Sequence, residues 1–189
     1  MKRMLAIVSL SVLMSASAFA NEFTNELTAL AKGPIAEIVQ APEVVAAIKA
    51  QNAETAAYDQ AKIDELDKIW RAEAKASDQP MIDKVLDNAL SAYLLAAQEA
   101  SGGKYTEIFV MDAKGLNVGQ SEVTSDYWQG DEAKWQQTFL VGPGAVHISD
   151  LEKDESTQML QAQVSTSIVD PATNEVIGAV TFGVNVDKL

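Results

Sequence analysis

The side chains best suited to bind a small molecule are concentrated in one connection between two predicted strands, residues 121–145. This connection holds two of the three tryptophans of the chain, and its candidate residues are Tyr127, Trp128, Lys134, Trp135 and Phe139. Connections this long are uncommon in compact domains unless they act as lids or binding loops. Aromatic rings there bury a large area and offer a polar tip or a π face to a ligand, and a lysine pairs with a carboxylate. The pattern predicts a lid over a ligand pocket.

Each of these residues also has a simpler interpretation. The aromatic rings would equally fill the end of the hydrophobic core beneath the connection. A short helix capped by Asp131 would leave Lys134 facing water.

Two later strands offer a polar floor for such a pocket. Gln161, Gln163, Ser165 and Ser167 alternate with apolar residues, and His147 alternates with Val146 and Ile148. Since successive side chains of a strand point to opposite faces, the polar residues share one face of the sheet. That face is either solvent-exposed surface or the floor of a pocket, and the aromatic lid favours a pocket. His147, Gln163 and Ser165 are therefore predicted to bind the ligand together with Tyr127, Trp128, Lys134 and Trp135.

Catalytic and metal chemistry receives little support from the sequence. There is no cysteine, so thiol nucleophiles and thiolate metal sites are excluded, and the single histidine has no G-x-S-x-G serine motif to serve. The acidic residues from Asp150 to Glu155 do not have the spacing of a calcium-binding loop. We expect no enzyme activity, no metal and no cofactor.

The elements that must position these residues follow the order of helices first and strands second. A short helix is predicted over 21–32, one long helix over 42–75 and a strongly periodic helix from Pro80 to the Gly102-Gly103 pair. The apolar stripe of the long helix is thin in its middle, which predicts that one end projects from the body. Strands are predicted over 107–112, 116–121, 146–151, 157–170 and 176–186. This order indicates an α+β domain with helices on one face of an antiparallel sheet.

The first twenty residues have the features of a secretory signal peptide. A basic start precedes an apolar run and an A-x-A site that ends at Ala20. We therefore expect cleavage after Ala20 and a periplasmic location. The formal net charge of −13 disfavours nucleic acid and anionic membrane surfaces as partners.

Three segments of the sequence resemble the single Cache (PDC) family of extracytoplasmic sensor domains, which have a PAS-like sheet. They are EIFVMDAKGLNVGQS at 107–121, SDYWQGDEAKW at 125–135 and VIGAVTFGVNV at 176–186. The resemblance implies long N-terminal helices over 21–104 and a five-stranded antiparallel sheet over 105–189, with 121–145 as the lid segment. It further implies a ligand such as an amino acid, an amine or an organic acid, held between the sheet and the lid.

Most Cache domains are flanked by membrane helices, whereas this sequence shows neither a second membrane span nor an output domain. We therefore expect a small-molecule binding module that reports to a membrane-bound receptor or signalling partner. The alternative is a structural or protein–protein interaction protein that works through its long N-terminal helix.

Overall fold

The computed structural model describes residues 22–153 and 159–189. The predicted signal peptide, residues 1–20, lies outside them, and so does Thr157 within the predicted fourth strand. Between residue 22 and the first strand, the structure has six helices: α1 (Thr24–Lys32), α2 (Pro34–Val39), α3 (Pro42–Thr55), α4 (Gln60–Glu73), α5 (Pro80–Leu86) and α6 (Ala89–Ala100). The strands are β1 (Tyr105–Met111), β2 (Asn117–Gln120), β3 (Val146–Ile148), β4 (Glu152–Lys153), β5 (Leu160–Val169) and β6 (Val176–Asn185). A one-turn helix, α7 (Ala133–Gln136), lies between β2 and β3.

The strands form one antiparallel sheet in the order β2-β1-β6-β5-β3, and β4 also pairs with β5. The predicted fold class is confirmed: the domain is α+β, with helices on an antiparallel sheet. The sheet has six strands rather than five because the two-residue β4 adds to the five predicted ones.

One face of the sheet supports the main hydrophobic core beneath the helices. Ile48 of α3 and Leu94 of α6 are fully buried there against Val110, Val164 and Phe182 of the sheet. Ala162, Val164 and Ile168 of β5 face this core, as their alternation predicts, and Gln163, Ser165 and Ser167, which alternate with them, point to the opposite face. The second face of the sheet is therefore the one available to the lid.

The prediction of one long helix over 42–75 is wrong, because the helix is interrupted between Thr55 and Gln60 and forms two helices, α3 and α4. Asp59 caps α4 by accepting a hydrogen bond from the backbone N–H of Lys62 at 2.9 Å. The Thr55 hydroxyl turns inward to the buried Asp112 carboxylate at 2.9 Å. α3 packs on the sheet and α4 packs on α5, so no helix end projects in the way that the thin apolar stripe suggested.

The periodic helix after Pro80 is likewise two helices. Asn88 accepts a hydrogen bond from Ser91 N–H and donates one to the carbonyl of Val118, both at 2.8 Å. An asparagine that satisfies a helix start and a strand carbonyl together favours a break over a continuous helix.

Candidate functional site

The second face of the sheet carries a row of four side chains from four neighbouring strands. Phe109 of β1 is paired with Thr181 of β6, Thr181 with Ser165 of β5, and Ser165 with His147 of β3. Directly opposed residues of antiparallel strands share a face, so the four side chains lie side by side. The Ser165 and Thr181 hydroxyl oxygens are both buried and lie 2.9 Å apart. The centre of this face thus holds two neutral hydroxyls next to an aromatic ring.

A second row beside it holds an acidic group and an amide. Gln163 donates a hydrogen bond from Nε2 to Glu107 Oε1 at 3.0 Å, across Gly183 of the strand between them. A Cβ on Gly183 would lie 2.7 Å from Glu107 Cγ and 2.3 Å from Thr106 Oγ1. The absence of a side chain at Gly183 therefore makes room for the Glu107 side chain.

Lys134 of α7 brings a positive charge over this face. Its Nζ lies 5.4 Å from the centre of the Phe109 ring, within the range of a cation–π contact. The ammonium group pairs with Glu132 Oε2 at 2.9 Å and with Gln129 Oε1 at 3.3 Å, and the side chain is 14% exposed. The expectation that an Asp131 cap leaves Lys134 in water is wrong, because α7 follows Glu132 and turns the lysine inward.

Trp135 covers the neighbouring part of the same face. Its indole packs in a cluster with Phe109, Met111 and Ala179, and it stacks on Phe139 with ring centres 4.8 Å apart. The indole N–H donates to the carbonyl of Asp112 at 3.1 Å. Trp135 is therefore the part of the lid that lies directly on the sheet.

His147 stands at the end of the row, and its charge depends on its surroundings. Burial lowers the pKa of the imidazole below its usual value; Asp150 opposes this effect and Lys134 adds to it. A neutral imidazole offers both a hydrogen-bond donor and an acceptor to a ligand.

Tyr127 and Trp128 lie away from this row. Tyr127 stacks on Trp70 of α4 with ring centres 5.4 Å apart, on the helix side of the domain. Trp128 donates its indole N–H to the carbonyl of Lys114 at 2.9 Å, and its ring rests against Gly130. The structure thus brings together five of the seven predicted ligand-binding residues and places these two at the base of the lid.

A buried carboxylate at the β1–β2 turn anchors that base. Asp112 accepts hydrogen bonds from the backbone N–H groups of Lys114 and Leu116 through Oδ1, and from Thr55 and Gln51 through Oδ2. Residues 127–129 pair with residues 115–117 beside this turn. The lid is therefore tied to the turn at both of its tryptophans.

Three residues of the site were not predicted from the sequence: Glu107, Phe109 and Thr181. Period two within the strand EIFVMD places Glu107 and Phe109 on one face, so that signal was present. Thr181 lies in an apolar run in which a single hydroxyl gives no pattern. Across residues 22–153 and 159–189, no group of three or more histidine, aspartate or glutamate side chains is placed to hold a metal ion.

Comparison with known proteins gives remote similarities of fold. No protein-family model and no curated protein matches the sequence. Among solved structures, the ligand-binding domain of the Campylobacter jejuni chemoreceptor Tlp3 in complex with L-valine is 9% identical. The match covers 87% of this chain and 64% of that one, with a TM-score of 0.41. The sensor domain of the V. cholerae histidine kinase DctB is 12% identical, with 88% and 58% covered and a TM-score of 0.38.

The ligand-binding domain of the Pseudomonas fluorescens chemoreceptor CtaA in complex with L-alanine is also 12% identical. That match covers 66% of this chain and 59% of the other, with a TM-score of 0.39. The chain thus spans less than two thirds of the length of these domains. These structures are two ligand-binding domains of chemoreceptors and one sensor domain of a histidine kinase. Within the described residues, no helix is both long and apolar enough to cross a membrane.

Proposed function

We propose that the protein is a small-molecule binding and sensing module whose ligand lies between the second face of the sheet and the α7 segment. The ligand belongs to the class of amino acids, amines and organic acids, and its occupancy is reported to a membrane-bound receptor or signalling partner. The module acts in the periplasm after removal of the signal peptide. It binds its ligand and performs no chemical reaction on it.

The observation that carries this proposal is the position of Lys134. An ammonium group whose side chain is 14% exposed is costly to desolvate, and among the described residues it has one carboxylate partner, Glu132, whose own side chain is 38% exposed. It lies over the Phe109 ring, at the opposite end of the row from His147, whose pKa burial lowers. A ligand carboxylate would complete the coordination of this charge.

The groups around Lys134 suit a small zwitterion or a small acid. Glu107 of β1, separated from the His147 strand β3 by the two strands β6 and β5, offers a carboxylate to a ligand ammonium group. Gln163 and Ser165 supply neutral hydrogen-bonding groups between these two charges. A few polar groups at fixed positions beside an aromatic side chain are the usual means by which a small-molecule site orients its ligand.

The predicted ligand-binding residues divide into two roles in this proposal. Lys134, Trp135, His147, Gln163 and Ser165 surround the ligand. Tyr127 and Trp128, which have partners in the helices and in the β1–β2 turn, hold the base of the lid.

The turn also offers a route by which the lid would influence the rest of the domain. The indole N–H of Trp135 donates a hydrogen bond to the Asp112 carbonyl, and the Asp112 carboxylate accepts hydrogen bonds from Thr55 and Gln51 of α3. A change in the position of α7 on ligand binding would therefore act on α3 through one buried residue. We propose α3 as the element that transmits occupancy to the partner.

Thermal unfolding in the presence of amino acids, amines and organic acids tests the proposal. A ligand at 100 times its dissociation constant stabilises the folded state by about 2.7 kcal/mol, which raises the melting temperature by several degrees in a domain of this size. Calorimetry with the compound that gives the shift then measures its affinity for the protein and for Lys134→Met. We expect at least a tenfold loss, because a hydrogen bond to a charged group contributes about 1.5–3 kcal/mol.

Lys68→Met is the matched control. Lys68 is exposed on α4, far from the second face of the sheet, and its replacement removes the same charge from the protein. Equal affinity of the two variants for the compound would refute the assignment of Lys134. The absence of a shift with every compound would refute the binding function.

A further inference from the structure

A second concave region lies on the helix side of the sheet, between α3, α5 and β2. Its volume is about 450 Å³, within the range typical of small-molecule pockets. Lys134, Trp135, His147, Gln163 and Ser165 do not line it, so it is separate from the site proposed above.

The walls of this cavity are mainly apolar. α3 contributes the small side chains of Ala47 and Ala50, which leave space between this helix and its neighbours. The opposite walls come from α4, α5, the start of α6 and β2, and consist of Leu66, Met81, Val85, Leu90 and Val118. The cavity would therefore accept a compact apolar body.

Three polar residues of the lining are already engaged within the protein. Gln51 donates its amide to the Asp112 carboxylate at 3.2 Å, and Thr55 donates its hydroxyl to the same carboxylate. Asn88 caps α6 and bonds to Val118. These contacts shape the cavity and leave other groups to meet a ligand.

Tyr127, Tyr58, Glu54 and Lys84 are lining residues whose side chains make no such contact among the described residues. Tyr127 is 8% exposed, its ring is fixed by stacking on Trp70, and its hydroxyl has no hydrogen-bond partner among the described residues. The hydroxyl oxygen is not one of the fully enclosed, unpartnered polar atoms of the described residues, so it is open to the cavity, where a ligand can donate a hydrogen bond to it. Glu54 and Tyr58 add a carboxylate and a second phenol to the same lining.

The charge at the inner end of the cavity is negative. Burial raises the pKa of the Tyr127 phenol, and the carboxylates of Asp112 and Glu54 add to this effect. Asp112 is fully buried, and its hydrogen bonds come from neutral groups only. Lys84 and Glu54 both line the cavity and are both exposed to solvent, which screens the two opposite charges alike, so the buried Asp112 carboxylate behind Gln51 and Thr55 sets the sign of the charge. An anion is therefore disfavoured at Tyr127, and a cation is favoured.

We infer that this cavity binds a small apolar primary amine, with its ammonium group between the Tyr127 hydroxyl and the Glu54 carboxylate. The phenol oxygen accepts one hydrogen bond from the ammonium group, the carboxylate accepts another, and the tyrosine rings offer their π faces. The apolar body of the amine lies against Met81 and its neighbours.

Calorimetry of the purified protein with 2-phenylethylamine tests this inference. Two compounds of the same shape control for charge: 2-phenylethanol is neutral, and 3-phenylpropionate is an anion. We expect the amine to bind at least tenfold more tightly than either. Glu54→Gln and Tyr127→Phe each remove one proposed partner with little change in shape, and each should weaken amine binding about tenfold. Glu43→Gln, on the first turn of the same helix, should leave it unchanged.

The methyl resonances of two methionines report where the amine binds. Met81 lines the cavity, whereas Met111 lies on the second face of the sheet, so the amine should shift the signal of Met81 alone. No binding, equal binding of the three compounds, or a shift of Met111 alone would overturn the inference. Lys134→Met should leave amine binding unchanged, so failure here is distinguishable from failure of the sensing function.

Discussion

Replacement of Asp112 by asparagine tests how the lid and the helices are joined to the sheet. The side chain is fully buried, and its two oxygens accept four hydrogen bonds: from Lys114 N–H at 2.8 Å, Leu116 N–H at 2.9 Å, Thr55 Oγ1 at 2.9 Å and Gln51 Nε2 at 3.2 Å. Asparagine has the same shape but replaces one acceptor oxygen with an NH₂ donor.

The magnitude follows from which two bonds are lost. The backbone N–H groups of Lys114 and Leu116 are fixed by the turn, so the remaining amide oxygen stays with them. The NH₂ group then faces Thr55 and Gln51, and two bonds to a charged acceptor disappear, each contributing about 1.5–3 kcal/mol. The Thr55 hydroxyl can rotate to accept a hydrogen bond from the new NH₂ group, and Gln51 keeps its hydrogen bond to the carbonyl of Asn117. Both effects recover part of the lost free energy. We expect a loss of about 2–4 kcal/mol.

Thermal and urea unfolding measure this loss. In a domain of this size each kcal/mol corresponds to about 2–4 °C, so Asp112→Asn should lower the melting temperature by about 4–16 °C. Asp78→Asn, an exposed aspartate before α5, is the matched control and should leave it within about 1 °C. Equal melting temperatures for the two variants would show that the Asp112 bonds do not join α3 to the turn.

Three further predictions concern pH and the packing beneath the site. Burial lowers the pKa of His147, so the unfolded state binds the proton at a higher pH than the folded state does. The free energy of unfolding should therefore fall as the pH drops from about 6.5 through the folded-state pKa of His147. Urea unfolding of His147→Gln should lack this pH dependence. A hydrogen bond from Lys49 lowers the pKa of Asp170, so this pair stabilises the folded state above about pH 4, and the stabilisation is lost as the pH falls through the folded-state pKa of Asp170. In Lys49→Met the melting temperature should fall less steeply with acid pH. Gly183→Ala would place a Cβ 2.7 Å from Glu107 Cγ; it should lower the melting temperature and weaken calorimetric binding of the ligand, and an unchanged affinity would separate Glu107 from the site.

The part of the fold that the sequence predicts well depends on short-range periodicity. Alternation in β5 places Val164 in the core and Ser165 on the second face, and the structure confirms both. The order of helices followed by strands predicts the α+β class for the same reason, because each element shows its own period. The polar floor of the site is thus visible in the sequence.

The helix breaks are less visible because they depend on partners distant in sequence. Alanine-rich sequence around Thr55 favours a continuous helix, yet the chain turns there because Thr55 bonds to Asp112, 57 positions later. Asn88 is a similar case, since Val118, its strand partner, is 30 positions later.

The composition of the site was decided by the tertiary structure. Tyr127 and Trp128 belong to the lid segment, which is rich in aromatic residues, but the pairing of 127–129 with 115–117 directs Tyr127 to Trp70 on the helix side. Glu107 and Gln163 are 56 positions apart and meet across Gly183 because β6 lies between β1 and β5. The sequence by itself determined which side chains share a face of a strand, since that depends on backbone geometry over two residues. Which faces meet depends on strand order and on buried hydrogen bonds between distant residues, and these exist only once the chain is folded.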